Sequence, residues 1–372
     1  MKKEFIGFYN PTKDETDKSW NEGIFCFDAN SILNLYRYSE ETRNDFISAL
    51  NSIKERVFLP YQAAFEFHNN RLSVISSTKS AYKKIEETYK ENFEVQITKL
   101  LNGFKRHPAL DLDSIKKIND DFLSKISKEL EKQEENHPDF DSDDSILYSI
   151  TELFENRIGR DLSKAELTKI YEDGEKRYND KIPPGYMDLA EKKDKGKRNI
   201  YGDLIIWNEL IEYTKKEKKP IIFVTDDRKE DWWTIEKGKT IRPREQLIKE
   251  FYDLTGIRIL IYNADSFLHF AKERKLITEI KDESLREIKE IRVSDEKTNS
   301  MTEFKNSFSK ITSYRNKLYR NSLNTINMEN RLSDSERKKI HDLIARNLDQ
   351  IIKSNNLISS QEEEEEEEEE EN

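Results

Sequence analysis

Tyr201-Gly202-Asp203-Leu204-Ile205-Ile206-Trp207, followed shortly by Pro220-Ile221-Ile222-Phe223-Val224-Thr225-Asp226-Asp227, decides the fold. A carboxylate opens an apolar helix, and the continuous apolar run after it ends on two more carboxylates. A run that is apolar at every position suits a strand covered on both faces, as in a parallel sheet. In such sheets ligands bind in the crevice beyond the carboxyl ends of the strands, so acids placed there sit where chemistry is done.

The same pattern recurs outward from this stretch. Ile24-Phe25-Cys26-Phe27 stops at Asp28-Ala29-Asn30-Ser31, after which Ile32, Leu33, Leu35 and Tyr36 fall at helical spacing. Arg56-Val57-Phe58-Leu59-Pro60 reads as a second buried strand, ended by Pro60, and the helix starting at Tyr61 carries Glu66 in its second turn. Arg258-Ile259-Leu260-Ile261-Tyr262 supplies the last run. Parallel strands centred on Phe25, Phe58, Phe223 and Leu260, joined by helices, make an α/β fold.

Between these runs the sequence changes character. Residues 3–23 are polar and turn-rich and read as a lead-in. From about 72 to 180 the chain is charged and almost free of glycine, and the stripes Tyr82, Ile85, Tyr89, Phe93 and Ile115, Ile118, Phe122, Ile126 predict two antiparallel amphipathic helices. Ser142-Asp143-Asp144 reads as the cap of a helix from Ser145 in preference to a metal site. Pro183-Pro184-Gly185-Tyr186-Met187-Asp188 is a rigid turn, in which Asp188 either faces the crevice or serves the turn, and a basic loop through Arg198 follows it. The expected organisation is one domain over 1–274 with a helical insertion at about 72–180. A helical extension over 275–360 and a disordered acidic tail over 361–372 complete the chain.

Composition narrows the function classes. The chain has 372 residues and a formal charge of −11, but residues 362–371 are all glutamate and carry ten of those charges, leaving a nearly balanced body. With 37% charged residues such a body is compatible with nucleic acid where its basic side chains share a face. No apolar run approaches the roughly 20 residues of a membrane span, and the start lacks the apolar core of a signal peptide, so a cytoplasmic location without membrane contact is expected. Cys26 lies in an apolar run that disfavours its thiolate, and the five histidines are scattered singly, which argues against a cysteine nucleophile and against zinc.

The chemistry rests on Asp28, Glu66, Asp203, Asp226 and Asp227. Each alone has a common structural use as a helix cap or turn residue. Together they bring carboxylates from separate segments to one sheet edge, where they repel unless positive charge sits among them. Hard divalent cations such as Mg²⁺ or Mn²⁺ suit all-oxygen sites of this kind, and one or two of them would support phosphodiester hydrolysis by activated water without a Ser, Cys or His nucleophile. Asn30 and Thr225, beside the acids, are candidates to orient them or to contact substrate. Arg228, Lys229, Lys192, Lys193 and Arg198 either hold phosphates or form a solvated surface, with neither reading favoured. Trp232-Trp233 could stack on a base, but burial of at least one against the sheet is the preferred expectation.

Phe27-Asp28-Ala29-Asn30-Ser31-Ile32-Leu33, Glu66 in the next helix, Asp203-Leu204-Ile205-Ile206 and Val224-Thr225-Asp226-Asp227 resemble the PIN domain. With Arg177-Tyr178, the Pro-Pro-Gly turn and Arg228-Lys229-Glu230-Asp231-Trp232-Trp233, the chain is similar to a bacterial PIN-like family with a long helical insertion, over about residues 5–270. The resemblance implies a three-layer α/β/α fold and a Mg²⁺- or Mn²⁺-dependent nuclease whose acids hold the metal. It favours RNA as the substrate and extends to roles in toxicity or antiviral defence. Which of Asp226, Asp227 and Asp231 is the fourth acid stays open. The alternatives are a DNA nuclease and a non-catalytic module that binds nucleic acid or protein. The insertion and the extension are the surfaces expected to dock a partner protein or a second copy.

Overall fold

The computed structural model describes residues 1–192, 194–277 and 280–293. Lys193, most of the expected C-terminal extension and the glutamate run lie outside the described residues. In chain order the strands are β1 (Ile24–Phe27), β2 (Val57–Phe58), β3 (Ile221–Val224), β4 (Trp233–Glu236), β5 (Lys239–Pro243) and β6 (Leu260–Tyr262). The four apolar runs form one parallel sheet in the order β2-β1-β3-β6, as their patterning predicts.

Helices α1 (Lys13–Glu22), α2 (Ala29–Leu33) and α3 (Glu40–Ser52) precede β2. Between β2 and β3 come α4 (Tyr61–Tyr89), α5 (Gln96–Gly103), α6 (Leu112–Glu135), α7 (Ser145–Phe154), α8 (Lys164–Asn179), α9 (Asp188–Glu191), α10 (Lys197–Ile200) and α11 (Gly202–Glu217). α12 (Glu245–Thr255) and α13 (Ala264–Glu273) complete the labelled elements.

Two elements differ from expectation. The lead-in contains α1, which starts at a capping box: Thr12 accepts from the Glu15 backbone N–H while the Glu15 carboxylate accepts from that of Thr12. The Thr-x-x-Glu signal was present in the sequence. The antiparallel hairpin β4–β5 turns at Lys237 and Gly238, both with positive φ (49° and 70°), the backbone that a two-residue hairpin turn requires. Its strands alternate too weakly to announce themselves.

Side chains alternate across the sheet, and the register pairs Cys26 with both Phe58 and Phe223. One face therefore carries Phe58 and Phe223. Phe58 stacks on Tyr213 of α11 at 4.1 Å, and Phe223 meets Trp232, which in turn contacts Trp207 of α11. The opposite face carries Phe25 and Phe27, which pack on Phe267 of α13, on Trp20 of α1 and on Phe154 of α7. Helices thus cover both faces, giving the three layers, and every residue of β1 and β3 is buried.

The insertion projects along α4 and returns along α6. Tyr82 meets His137 at 3.2 Å, Ser127 donates to Glu86 at 2.7 Å and the Tyr89 and Phe122 rings lie 6.2 Å apart, the pairing of an antiparallel hairpin. Asp144 caps α7 by accepting from the Leu147 N–H at 2.8 Å, as expected of it. Past α13 the chain stays on the body: Ile277, Ile280 and Ile288 join the core, and Glu287 accepts hydrogen bonds from Ser39 and Thr42. Among the described residues no helix is long and apolar enough to cross a membrane.

Candidate active site

The parity of each strand end decides which acids meet. Phe27 faces the α7 and α13 side, so the next residue, Asp28, turns to the side of α4 and α11. Asp28 caps α2 through its Oδ1, which accepts from the Ala29 N–H at 2.7 Å, while its Oδ2 accepts from the Thr225 hydroxyl at 2.9 Å. Glu66 reaches the same edge from the second turn of α4, steadied by a 2.8 Å hydrogen bond from Gln62. Asp203 arrives in the first turn of α11, next to Gly202, where a Cβ would lie 2.2 Å from Glu66 Oε1 and push the Glu66 carboxylate aside. Trp232 donates its Nε1–H to Asp203 Oδ2 at 3.0 Å, so this tryptophan is buried and positions an acid.

After β3 the paired aspartates part. Asp226 turns to the opposite side, accepting from Asn34 at 2.8 Å and from the Ala264 N–H at the start of α13 at 3.0 Å. Asp227 turns into the cluster, where its charge acts on Asp28 and Asp203. Asp227 is held by the Lys229 N–H, which donates to its Oδ1 at 2.9 Å.

Two further acids belong to the cluster. Asp188, fully buried, takes an ion pair from Lys229 on one oxygen and from Lys192 on the other. Asp231 accepts the backbone N–H groups of Gly185 and Met187 at 2.9 and 3.1 Å, fastening the turn that delivers Asp188. Asp231 Oδ1 is buried without a hydrogen-bond partner. Only the Asp188 position in a rigid turn beside the basic loop hinted at its place.

Burial and neighbouring charge oppose ionisation at Asp28, Glu66, Asp203 and Asp231. Desolvation, then the charges of Glu66 and Asp227, push Asp28 up from 3.8 to about 7, against the hydrogen bonds from Thr225 and Ala29. Asp203 is raised well above its ordinary value by burial and by Asp188 and Asp227, with Lys192 and Lys229 pulling the other way. Burial also raises Glu66, which Lys192 and Gln62 counter, and lifts Asp231 to about 6, aided by Asp227. Desolvation disfavours both lysine charges, yet the surrounding acids raise Lys192 and Lys229 above the usual lysine range.

The remaining candidates divide. Exposed Asn30 lies 3.4 Å from Asp28 Oδ2 at the rim of the cluster. Thr225 is fully buried and orients Asp28 and the Asp227 N–H. Arg228 acts on Asp226, on the far side. Arg198 donates to Gln62 at 2.8 Å and to Asp161 at 3.1 Å, and lies over the Phe65 ring at 4.3 Å, which engages it behind Glu66.

As a test of fit for a divalent cation, the donors are carboxylate oxygens throughout, the kind that Mg²⁺ and Mn²⁺ take. Burial first, and then neighbouring acids, raise Asp28 and Asp203, and at Asp203 the two ammoniums only partly offset this. Among the described residues no group of three or more His, Cys, Asp or Glu side chains is arranged to hold a metal ion as they stand, with the lysines between them. The donor chemistry fits a dication.

The Pro-Pro-Gly turn has no room for a side chain at Gly185. Gly185 has φ of 90°, and a Cβ there would lie 2.2 Å from the Tyr178 hydroxyl and 3.0 Å from Asp203 Cβ. Gly185→Ala is expected to cost about 1–3 kcal/mol from backbone strain alone, read as a lower urea midpoint, with the turn bearing Asp188 displaced.

Residues 24–247 match a protein family described as a PIN like domain. The matched span opens at β1, closes inside α12 and contains Asp28, Glu66, Asp188, Asp203, Asp227 and Asp231. No curated protein and no solved structure matches the chain.

Proposed function

The chain belongs to the PIN-like domain family, whose members are nuclease-type modules, and on that premise we propose that it hydrolyses phosphodiester bonds in RNA with the help of Mg²⁺ or Mn²⁺. The observation that carries the proposal is the convergence of Asp28, Glu66, Asp203 and Asp227, from separate segments, on one edge of the parallel sheet. There burial, reinforced by Glu66 and Asp227 at Asp28 and by Asp188 and Asp227 at Asp203, holds Asp28 and Asp203 back from ionising. A purely structural set of caps would have no reason to share a site, which weighs against a non-catalytic module.

In this reading Asp28, Glu66, Asp203 and Asp227 hold the cation, with Asp188 and Asp231 behind them. A bound dication would supply neutralisation of the phosphodiester charge and acidification of the attacking water. The chain's own residues do the rest. Thr225, Gln62 and Trp232 fix the orientations of Asp28, Glu66 and Asp203. Lys192 and Lys229 offer positive charge to the phosphate, and Asn30 offers a rim donor. Arg198, Arg228 and Thr225 act indirectly, through Gln62, Asp226 and Asp28.

Asp227, in place of Asp226, is the fourth acid of this proposal. Asp226→Asn keeps an oxygen for only one of its two donors, Asn34 and the Ala264 N–H, but the side chain lies away from the cluster, so cleavage is expected within about threefold of wild type. Asp227→Asn removes a charge that faces the other acids and is expected to cost at least about a hundredfold. Initial rates on one labelled RNA in Mn²⁺ decide the matter, and the reverse ranking would reassign the acid. RNA over DNA follows from the family resemblance. A panel of single-stranded RNA, single-stranded DNA and duplex DNA tests it, and preferential DNA cleavage would make the protein a DNA nuclease.

A further inference from the structure

Two lysines hold the place that positive charge must occupy in this cluster. Lys229 follows β3 and Lys192 follows α9, so they approach from different elements, and they pair with different oxygens of the fully buried Asp188. Lys192 also acts on Asp203 and Glu66, while Lys229 acts on Asp203 and stands 3.6 Å from Asp227 Oδ2. Between them they reach most of the acids proposed to hold a cation. Neither side chain is sealed in: Lys192 is 24% and Lys229 is 30% exposed. Asp231 Oδ1, buried and unpartnered, shows that the cluster retains acceptor capacity which the lysines leave unused.

Acids crowded this closely need counter-charge to fold together. A tethered ammonium supplies it at high local concentration, and a dication supplies more charge to the same oxygens. We infer that Lys192 and Lys229 are resident counter-ions of the acid cluster, that a divalent cation enters by exchange with them, and that the released ammoniums then meet the phosphates of the nucleic acid. The inference rests on the proposed function in taking the same acids as cation donors. It differs from a structural role for the lysines in one respect. Removing a competing ammonium strengthens cation binding while weakening substrate binding, whereas damage to the fold weakens both.

The experiment measures Mn²⁺ binding at pH 7.5 by the loss of the free-ion EPR signal, using the full chain stripped with EDTA, as wild type, Lys192→Met and Lys229→Met. Each lysine variant is expected to bind Mn²⁺ about tenfold more tightly or better, the effect of removing one nearby unit charge, and to show a raised KM for single-stranded RNA. Mn²⁺ binding by wild type with no tightening in either variant overturns the exchange and leaves the acids standing as cation donors. No binding by any of the three overturns both the exchange and the proposed function. A second measurement needs no variant: acetylation of the wild-type chain by an N-hydroxysuccinimide ester, read by peptide mass spectrometry. Labelling of Lys192 and Lys229 is expected to rise severalfold on adding Mg²⁺, and unchanged labelling in Mg²⁺ that saturates the site overturns the exchange.

Discussion

Asp203→Asn is expected to lower RNA cleavage by a factor on the order of a hundred to several thousand while leaving the fold intact. The substitution keeps shape and keeps an oxygen to accept the Trp232 indole N–H, now 3.0 Å from Asp203 Oδ2. What it removes is one negative charge from a buried, charge-compensated site. Losing about 3–5 kcal/mol of the several kcal/mol that a held dication would contribute to the transition state gives that factor, since each 1.36 kcal/mol is a factor of ten in rate. Stability is expected to move the other way. Asp203 is raised well above the ordinary carboxylate range by burial and by Asp188 and Asp227, so the metal-free variant should match or exceed wild type in urea unfolding at pH 8. Lost activity together with lost stability would point to a misfolded variant. Lost activity at equal or greater stability isolates the charge.

The metal-free chain is expected to lose stability as pH rises from 5 to 8. Asp28 is lifted by burial, Glu66 and Asp227 from 3.8 to about 7. Glu209, half-buried while accepting the Tyr61 and Gln62 N–H groups at the start of α4, is lifted by desolvation from 4.5 to about 7. A carboxyl whose folded value lies above its unfolded value binds more protons folded than unfolded between the two. Its contribution is complete below the unfolded value and disappears as pH climbs through the folded one. The window runs from about pH 4 to 7, and the shift of Asp28 alone is worth at most about 4 kcal/mol. His137, lowered by burial, opposes the trend only below its usual range. Urea unfolding in EDTA at pH 5, 6, 7 and 8 reads the slope directly. Adding Mn²⁺ or Mg²⁺ at pH 8 should recover stability, because the cation binds deprotonated acids and only the folded chain presents them together. A midpoint in EDTA that climbs steadily to pH 8 would contradict the charge distribution described for the cluster.

Much of the site could be read from sequence because its acids are tied to strand ends. Continuous apolar runs around Phe25, Phe58, Phe223 and Leu260 announce strands buried on both faces, and the structure has all four in one parallel sheet. Asp28, Glu66 and Asp203 follow from those positions by counting one residue past a strand or one turn into a helix. Choosing between Asp226 and Asp227 required more. Successive residues point to opposite faces, so the choice depends on which face Phe223 and Val224 take, and both faces of this strand are equally apolar. Phe223 packs on Trp232, on the α11 side, which carries Asp227 to the cluster and Asp226 to Asn34 and Ala264.

Asp188 and the lysines were harder to place for a different reason. They lie in a turn and a basic loop, where residue type says little about direction, and their position depends on Asp231 reaching back across more than forty residues to hold the Gly185 and Met187 N–H groups. Arg198 shows the same difficulty from the other side. Its charge and its place beside Asp203 left phosphate contact and a solvated surface equally open, and the structure engages it with the ring of Phe65 and the side chain of Gln62. The missed elements had local signals: the Thr12 and Glu15 capping box for α1 and the Lys237-Gly238 turn for β4–β5.

Cleavage of end-labelled single-stranded RNA by the EDTA-stripped full chain, with Mn²⁺ returned or withheld and Asp203→Asn run alongside, decides whether the acid cluster is catalytic. The account predicts cleavage by wild type that depends on returned Mn²⁺ and falls by at least about a hundredfold in the variant. Cleavage that persists in EDTA, equal rates for wild type and Asp203→Asn, or no cleavage of any nucleic acid by wild type with Mn²⁺ or Mg²⁺ would contradict it.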